Sequence, residues 1–416
     1  MFSEKIKKLF GNKFFQAAVD AAVLIAIGAT LWRRIETAPF HIDEVAWTGY
    51  GYYYGLLFEK RDIHSPDWRI IAARRDFPVG KYVYGFGLKL QHYPIVDLKV
   101  HNAFSLLWRD PYKLYSVIPP GIITAGRKVA WFFSTFAVWL IYILTRRTAG
   151  IIPGMIASVL LVVNPLSVIF VQALTDTMLL SGLVGGALIV SAWRSGPEKL
   201  SHRRIWITAI SAGLLTGIAA GIKANGAILG FYLAFAATWV CIRKKTPPVS
   251  RMSMVASTIV AGTAAIAIFV AVNPALYYDP WKEILFYLRF KAQDVAFQQT
   301  YIGPAIRGAS EKISTVISRV LLWGPYVPFP FVGLFAAVGI WRLIRNFLKK
   351  PRGGEILLAI WCAVMVGSVT LWIPLDWDRY YLPAVAAVAT LSATGIVAIL
   401  EAMFSQVRKR FFPRPV

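Results

Sequence analysis

Residues 15–32 read FQAAVDAAVLIAIGATLW, followed by Arg33-Arg34 and, after six intervening residues, by His41-Ile42-Asp43-Glu44. An apolar run close to the ~20 residues that cross a bilayer as a helix, ending on paired arginines, reads as a transmembrane span. Lys5, Lys7, Lys8 and Lys13 lie ahead of it, but no small-x-small cleavage site follows, so it is a retained first helix and not a signal peptide. Nine further apolar runs lie at roughly 127–145, 149–164, 175–193, 206–222, 225–242, 253–272, 326–343, 355–373 and 380–400. Across 416 residues 57% are hydrophobic and 16% charged, with a mean hydropathy of +0.56, where a soluble domain carries about 25% charge. Cys241 and Cys362 sit inside apolar runs and support no disulfide framework. The expected fold is an all-α integral membrane protein of about ten transmembrane helices, one domain over 1–416.

Charge sets the expected orientation. With the N-terminus inside, the loops that face the cytoplasm hold 23 of the 45 Lys and Arg but only five of the 21 Asp and Glu. Every inside loop is basic, as the positive-inside rule requires. The net charge of +24 is therefore a topology signal, and no nucleic-acid partner is expected. Both termini are placed in the cytoplasm of a multi-pass cell-membrane protein. Two long connections, 33–125 and 273–325, fall together on the outer face. Long connections in a compact protein are usually functional, so the first is expected to carry interfacial helices and the chemistry.

The outer face collects the residues of interest. Asp43 and Glu44 follow the first span directly, and adjacent carboxylates near lipid are costly unless something uses them. Trp47 to Phe58, with Tyr50, Tyr53, Tyr54 and Leu57 at helical spacing, reads as a helix lying in the headgroup layer. Pro78-Val79-Gly80-Lys81 places a lysine at the start of a glycine-rich helix, a plausible phosphate site. Asp176 follows the Asn164-Pro165 break, Lys223 lies in the tight turn Gly221-Ile222-Lys223-Ala224-Asn225-Gly226, and Arg379 precedes Tyr380-Tyr381-Leu382-Pro383. All six charges map to one membrane face, carboxylates to act on an acceptor and cations to hold a phosphate.

These pieces, with Arg127-Lys128 opening the second span and Leu174-Thr175-Asp176 entering the fourth, resemble the C-type glycosyltransferases, specifically the protein O-mannosyltransferase and aminoarabinose-transferase-like group. The resemblance covers most of the chain and lies in the order and topology of the pieces. It implies a polyprenyl-phosphate-linked sugar as donor, a protein, lipid or glycan acceptor, and inverting transfer of a hexosyl or pentosyl group on the outer face. By resemblance Asp43 is the general base, Lys81, Lys223 and Arg379 hold the donor phosphate, and Glu44 and Asp176 orient the acceptor or the base. The chain departs from the family's His-Pro-Pro-x-Gly-Lys pattern at Asp76 and Phe77. The tail from Glu401 is expected to carry no lumenal domain of the kind eukaryotic protein mannosyltransferases have, which favours a prokaryotic enzyme.

No cofactor is expected. A lipid monophosphate is already a leaving group, so cationic side chains suffice to meet its charge. The five histidines show no metal-ligand spacing, although the Asp43-Glu44 pair leaves a hard divalent cation open. The competing class is a transporter or lipid flippase, which would place ionisable groups at mid-span and show paired broken helices. A non-catalytic membrane scaffold is the third reading, and a crevice between the first external loop and the span ends would argue against both.

Overall fold

The computed structural model describes residues 12–41, 43–93, 95, 121–195, 201–243, 246–301, 303–324, 331–349 and 353–411. Lys5, Lys7, Lys8, the 96–120 part of the first external loop with His101, Lys199, Lys244, Lys245, Pro325, Lys350, Arg352 and Arg414 lie outside them. Among the described residues nine helices are long and apolar enough to cross a membrane, and the count is ten if the bent pair Ile151–Val163 and Pro165–Val171 is taken as one span. No strand occurs among them beyond an isolated bridge from Ala305 to Leu375. The expected all-α membrane architecture is the observed one.

The spans are α1 (Lys13–Trp32), α4 (Ile122–Ala149), α5 (Ile151–Val163), α6 (Asp176–Val190), α7 (His202–Ile222), α8 (Ile228–Ile242), α9 (Pro248–Ala271), α12 (Phe331–Lys349), α13 (Gly353–Trp372) and α14 (Leu382–Phe411). Between them, α2 (Asp43–Gly49) and α3 (Val79–Leu90) lie in the first long connection, and α10 (Pro280–Tyr301) and α11 (Ala309–Val316) in the second. The second connection is therefore helical, and Arg319 closes it onto Asp376 with bonds of 3.0 and 2.7 Å.

Two spans differ from the sequence expectation. The third is only 13 residues before the chain turns by 83° into the 3₁₀ segment Pro165–Val171. Pro165 has no N–H to continue the ladder, and the Asn164 side chain accepts instead from Leu166 N at 2.8 Å. The second begins at Ile122, so Arg127 lies inside the helix and is buried. Asp20 in α1 pairs with Arg146 at 2.8 Å and accepts from the Tyr142 hydroxyl at 2.8 Å. A carboxylate so held, against the last turn of α4, joins two helices instead of lining a path.

Close helix contact rests on glycine. A Cβ at Gly213 or Gly217 of α7 would fall 2.3 or 2.4 Å from Ala261 O or Ala265 O of α9. Gly339 and Gly395 play the same part reciprocally between α12 and α14, where main-chain oxygens lie 2.0 and 1.9 Å from the Cβ positions. Small residues at such interfaces let backbones approach where lipid offers no hydrophobic drive.

The aromatic segment after α2 corrects one expectation. Tyr50, Tyr53 and Leu56 are buried, and the Tyr53 ring lies tilted against Trp68 at 5.2 Å. This face supports the loop from within, and Phe58 is the member left exposed.

Candidate active site

A cavity of about 440 Å³ opens where the first and second long connections meet the span ends. Asp43, Ala46 and Trp47 of α2 and Tyr50 just past its end, at i, i+3, i+4 and i+7, form one wall. The start of α6 supplies Asp176, the α7–α8 turn supplies Lys223, and the segment before α14 supplies Arg379 and Tyr380. Residues 75–77 and the α10 side chains Tyr287, Lys291, Asp294 and Gln298 complete it.

Four of the six predicted residues meet here. Arg379 pairs with Asp43, and its guanidinium lies 4.6 Å from the Trp377 ring centre. Burial opposes ionisation of Asp43, but Arg379 outweighs it and holds the carboxyl below its ordinary range. Lys223 Nζ donates to Asp176 Oδ1 at 2.6 Å. His41, two residues before, accepts the Asp43 N–H at its Nδ1 at 3.1 Å, and burial keeps the ring below its ordinary pKa.

The other two lie elsewhere. Glu44 is fully buried and accepts from Arg127 Nε and Nη2, both at 2.8 Å, and from the backbone N–H groups of Ala173 and His41, both at 2.9 Å. Arg127 Nη1 also donates to Ile35 O and Ala38 O, so the pair pins the segment after α1 to α4. Lys81 Nζ, also fully buried, donates to Ala72 O at 2.7 Å and Ala73 O at 2.9 Å, over the rings of Tyr50 and Tyr53 at 4.8 and 4.9 Å. It stands behind the cavity wall and is not among the lining residues.

The structure adds cations and carboxylates that the sequence did not single out. Asp76 faces Lys291 at 3.3 Å and Arg75 faces Asp294 at 3.4 Å, tying the wall to α10, and Arg74 to Glu283 at 2.7 Å strengthens the tie. The available signal was the spacing of Lys291, Asp294 and Gln298 on one face of a helix in an external loop. No group of three or more His, Cys, Asp or Glu side chains placed to share a metal ion occurs among the described residues.

The chain is thus a bundle of apolar helices with charged residues gathered at its span ends, beneath helices of its two long connections. By sequence alone no protein-family profile and no curated protein matches the chain. By structure, it is similar to the archaeal oligosaccharyltransferase AglB from Archaeoglobus fulgidus, solved with an inhibitory peptide and a dolichol-phosphate, with a TM-score of 0.54, 14% identity and 97% of this chain covered. It is similar likewise to ArnT from Cupriavidus metallidurans bound to undecaprenyl phosphate, with a TM-score of 0.55, 13% identity and 97% coverage. The chain spans 53% of the AglB chain and 66% of the ArnT chain. At such identities the likeness is one of fold.

Proposed function

We propose that the protein is a glycosyltransferase that moves a sugar from a polyprenyl-phosphate donor to a hydroxyl or amine acceptor on the outer face of the membrane, with Asp43 as general base. The observation that carries this reading is the cavity that brings Asp43, Asp176, Lys223 and Arg379 together from four separate segments. That AglB and ArnT were solved with a dolichol-phosphate and undecaprenyl phosphate supports a lipid phosphate as the donor's anchor.

In this reading Lys223 and Arg379 hold the donor phosphate, and Glu44 and Lys81 keep the walls in place. The acceptor oxygen attacks the anomeric carbon from the side opposite the phosphate, and its proton passes to Asp43. The anomeric C–O bond breaks, polyprenyl phosphate leaves on the cations, and the configuration inverts. In the resting site Arg379 makes Asp43 a weak base. A donor phosphate that draws the guanidinium away restores its basicity when the acceptor needs it. The charge on a monophosphate leaving group is met by side chains, so the reading calls on no metal.

Purified protein given a panel of radiolabelled polyprenyl-phosphate sugars is expected to transfer or slowly hydrolyse one of them. Asp43→Asn keeps the shape but cannot take the proton, so turnover should fall by about 10²–10⁴-fold while undecaprenyl phosphate still binds. Wild-type turnover in Asp43→Asn would remove Asp43 as base, and no turnover of any donor by the wild type would remove the reading itself.

A further inference from the structure

Tyr50 follows Gly49, the last residue of α2, and continues its cavity face, about 10 Å along the helix axis from Asp43 at 1.5 Å per residue. Its ring is 2% exposed and held in place, with Lys81 Nζ 4.8 Å above it and Trp47 packed edge-on at 5.6 Å. The hydroxyl is buried without a hydrogen-bond partner among the described residues, although Tyr50 lines the cavity. Two other lining residues share this condition, Asp176 through Oδ2 and Arg379 through Nε. A buried polar atom left unpaired costs about 1–3 kcal/mol, so three around one cavity point to a ligand that satisfies them.

The surroundings of Tyr50 select the chemistry of that ligand. Burial raises the phenol far above its ordinary pKa, so it presents a neutral O–H. The charges bearing on it are those of Asp76, Arg75 and Asp43. Each is already compensated, Asp76 by Lys291, Arg75 by Asp294 and Asp43 by Arg379. A pole with paired charges and both donors and acceptors favours a neutral polyhydroxyl group over a second anion. The aromatic rings of Trp47 and Tyr287, which line the same cavity, add apolar faces for a sugar ring.

We propose that Tyr50 is a sugar-binding residue, its O–H meeting a hydroxyl of the donor sugar while the donor phosphate lies at Lys223 and Arg379. The proposal rests on the glycosyltransferase reading of the same cavity.

The test measures equilibrium binding to the purified full-length protein of undecaprenyl phosphate and of undecaprenyl-phosphate mannose, glucose and aminoarabinose. Wild type should bind at least one sugar-bearing lipid more tightly than the bare lipid. Tyr50→Phe, which keeps the ring under Lys81, should weaken that lipid by roughly tenfold and shift the bare lipid by less than about twofold. Retention of the wild-type preference in Tyr50→Phe overturns the assignment of Tyr50 and leaves the glycosyltransferase reading standing. Equal weakening of both kinds of lipid makes the phenol a structural group and overturns it as well. A wild type that neither prefers nor turns over any of the three sugar lipids overturns both.

Discussion

The Lys81 amine has two carbonyl acceptors, Ala72 O and Ala73 O, and a neutral lysine amine has two N–H bonds to give them. A third proton is left facing the rings of Tyr50 and Tyr53, where cation–π attraction offsets only part of the lost hydration. Burial lowers its pKa from 10.5 to about 7, against the pull of Asp76 and with the push of Lys291. The unfolded chain keeps the proton up to about 10.5 while the folded chain releases it near 7, so this group makes stability rise with pH across that window. Thermal unfolding in detergent between pH 6 and pH 11 should show the rise in wild type. Lys81→Met should flatten it and lower stability throughout, because two carbonyls lose their donor. Parallel curves would show that Lys81 does not titrate there. At this scale the sequence showed which residue types gather on the outer face but not which way each turns. Asp43 and Glu44 are neighbours, and one helical step of about 100° sends them to different surroundings. Glu44 meets Arg127 across 83 positions of sequence, a pairing that no local pattern records.

Helix identity was legible because apolar length alone makes a span, whereas helix ends and partners depend on contacts distant in sequence. Arg127 read as the start of a span, since a charge near an apolar run normally marks the interface. The helix begins at Ile122 because buried Glu44 compensates that charge. Gly213, Gly217 and Gly221 stand at intervals of four in the sequence, yet only the structure shows that the first two pack against α9 and that Gly221 meets Val79 of α3. That row matters to the site, because Lys223 lies in the turn two residues beyond Gly221 and depends on α7 staying close to its neighbours. A Cβ at Gly213 would meet the oxygen, Cα and carbonyl carbon of Ala261 at 2.3–2.8 Å, all main-chain atoms that cannot swing aside. Gly213→Val should therefore cost at least the ~1–3 kcal/mol of ordinary overpacking, seen as a lower unfolding temperature in detergent. Gly262→Val on α9, whose Cβ would have nothing within 4 Å, is the matched control and should change little. Equal stability of the two variants would mean that α7 and α9 do not approach this closely.

Over the whole molecule the charged groups separate into two faces. On one, Asp20 meets Arg146, Arg194 donates to Arg147 O at 3.4 Å, and a Cβ at Gly353 would lie 2.5 Å from Arg194 O, so the ends of α4 and of the fourth span and the start of α13 lie together. On the other, Asp43, Asp176, Lys223 and Arg379 share a cavity. The alternation of basic and mixed loops foresaw this division, because each added span reverses the side of the chain. By the positive-inside rule the first face is expected in the cytoplasm and the cavity is expected to open outward. Reporter positions must be exposed for a labelling test to read sidedness, and Lys60, Thr300 and Ser201 are exposed while Ser65 and Gln298 are buried. In a background with Cys241 and Cys362 replaced by alanine, cysteine at Lys60 or Thr300 should react with a membrane-impermeant thiol reagent on intact cells. Cysteine at Ser201 should react only after permeabilisation. The reverse pattern would turn the cavity to the cytoplasm, where a donor lipid in the outer leaflet could not reach Asp43, and the proposed reaction would have to draw its sugar from the inner leaflet instead.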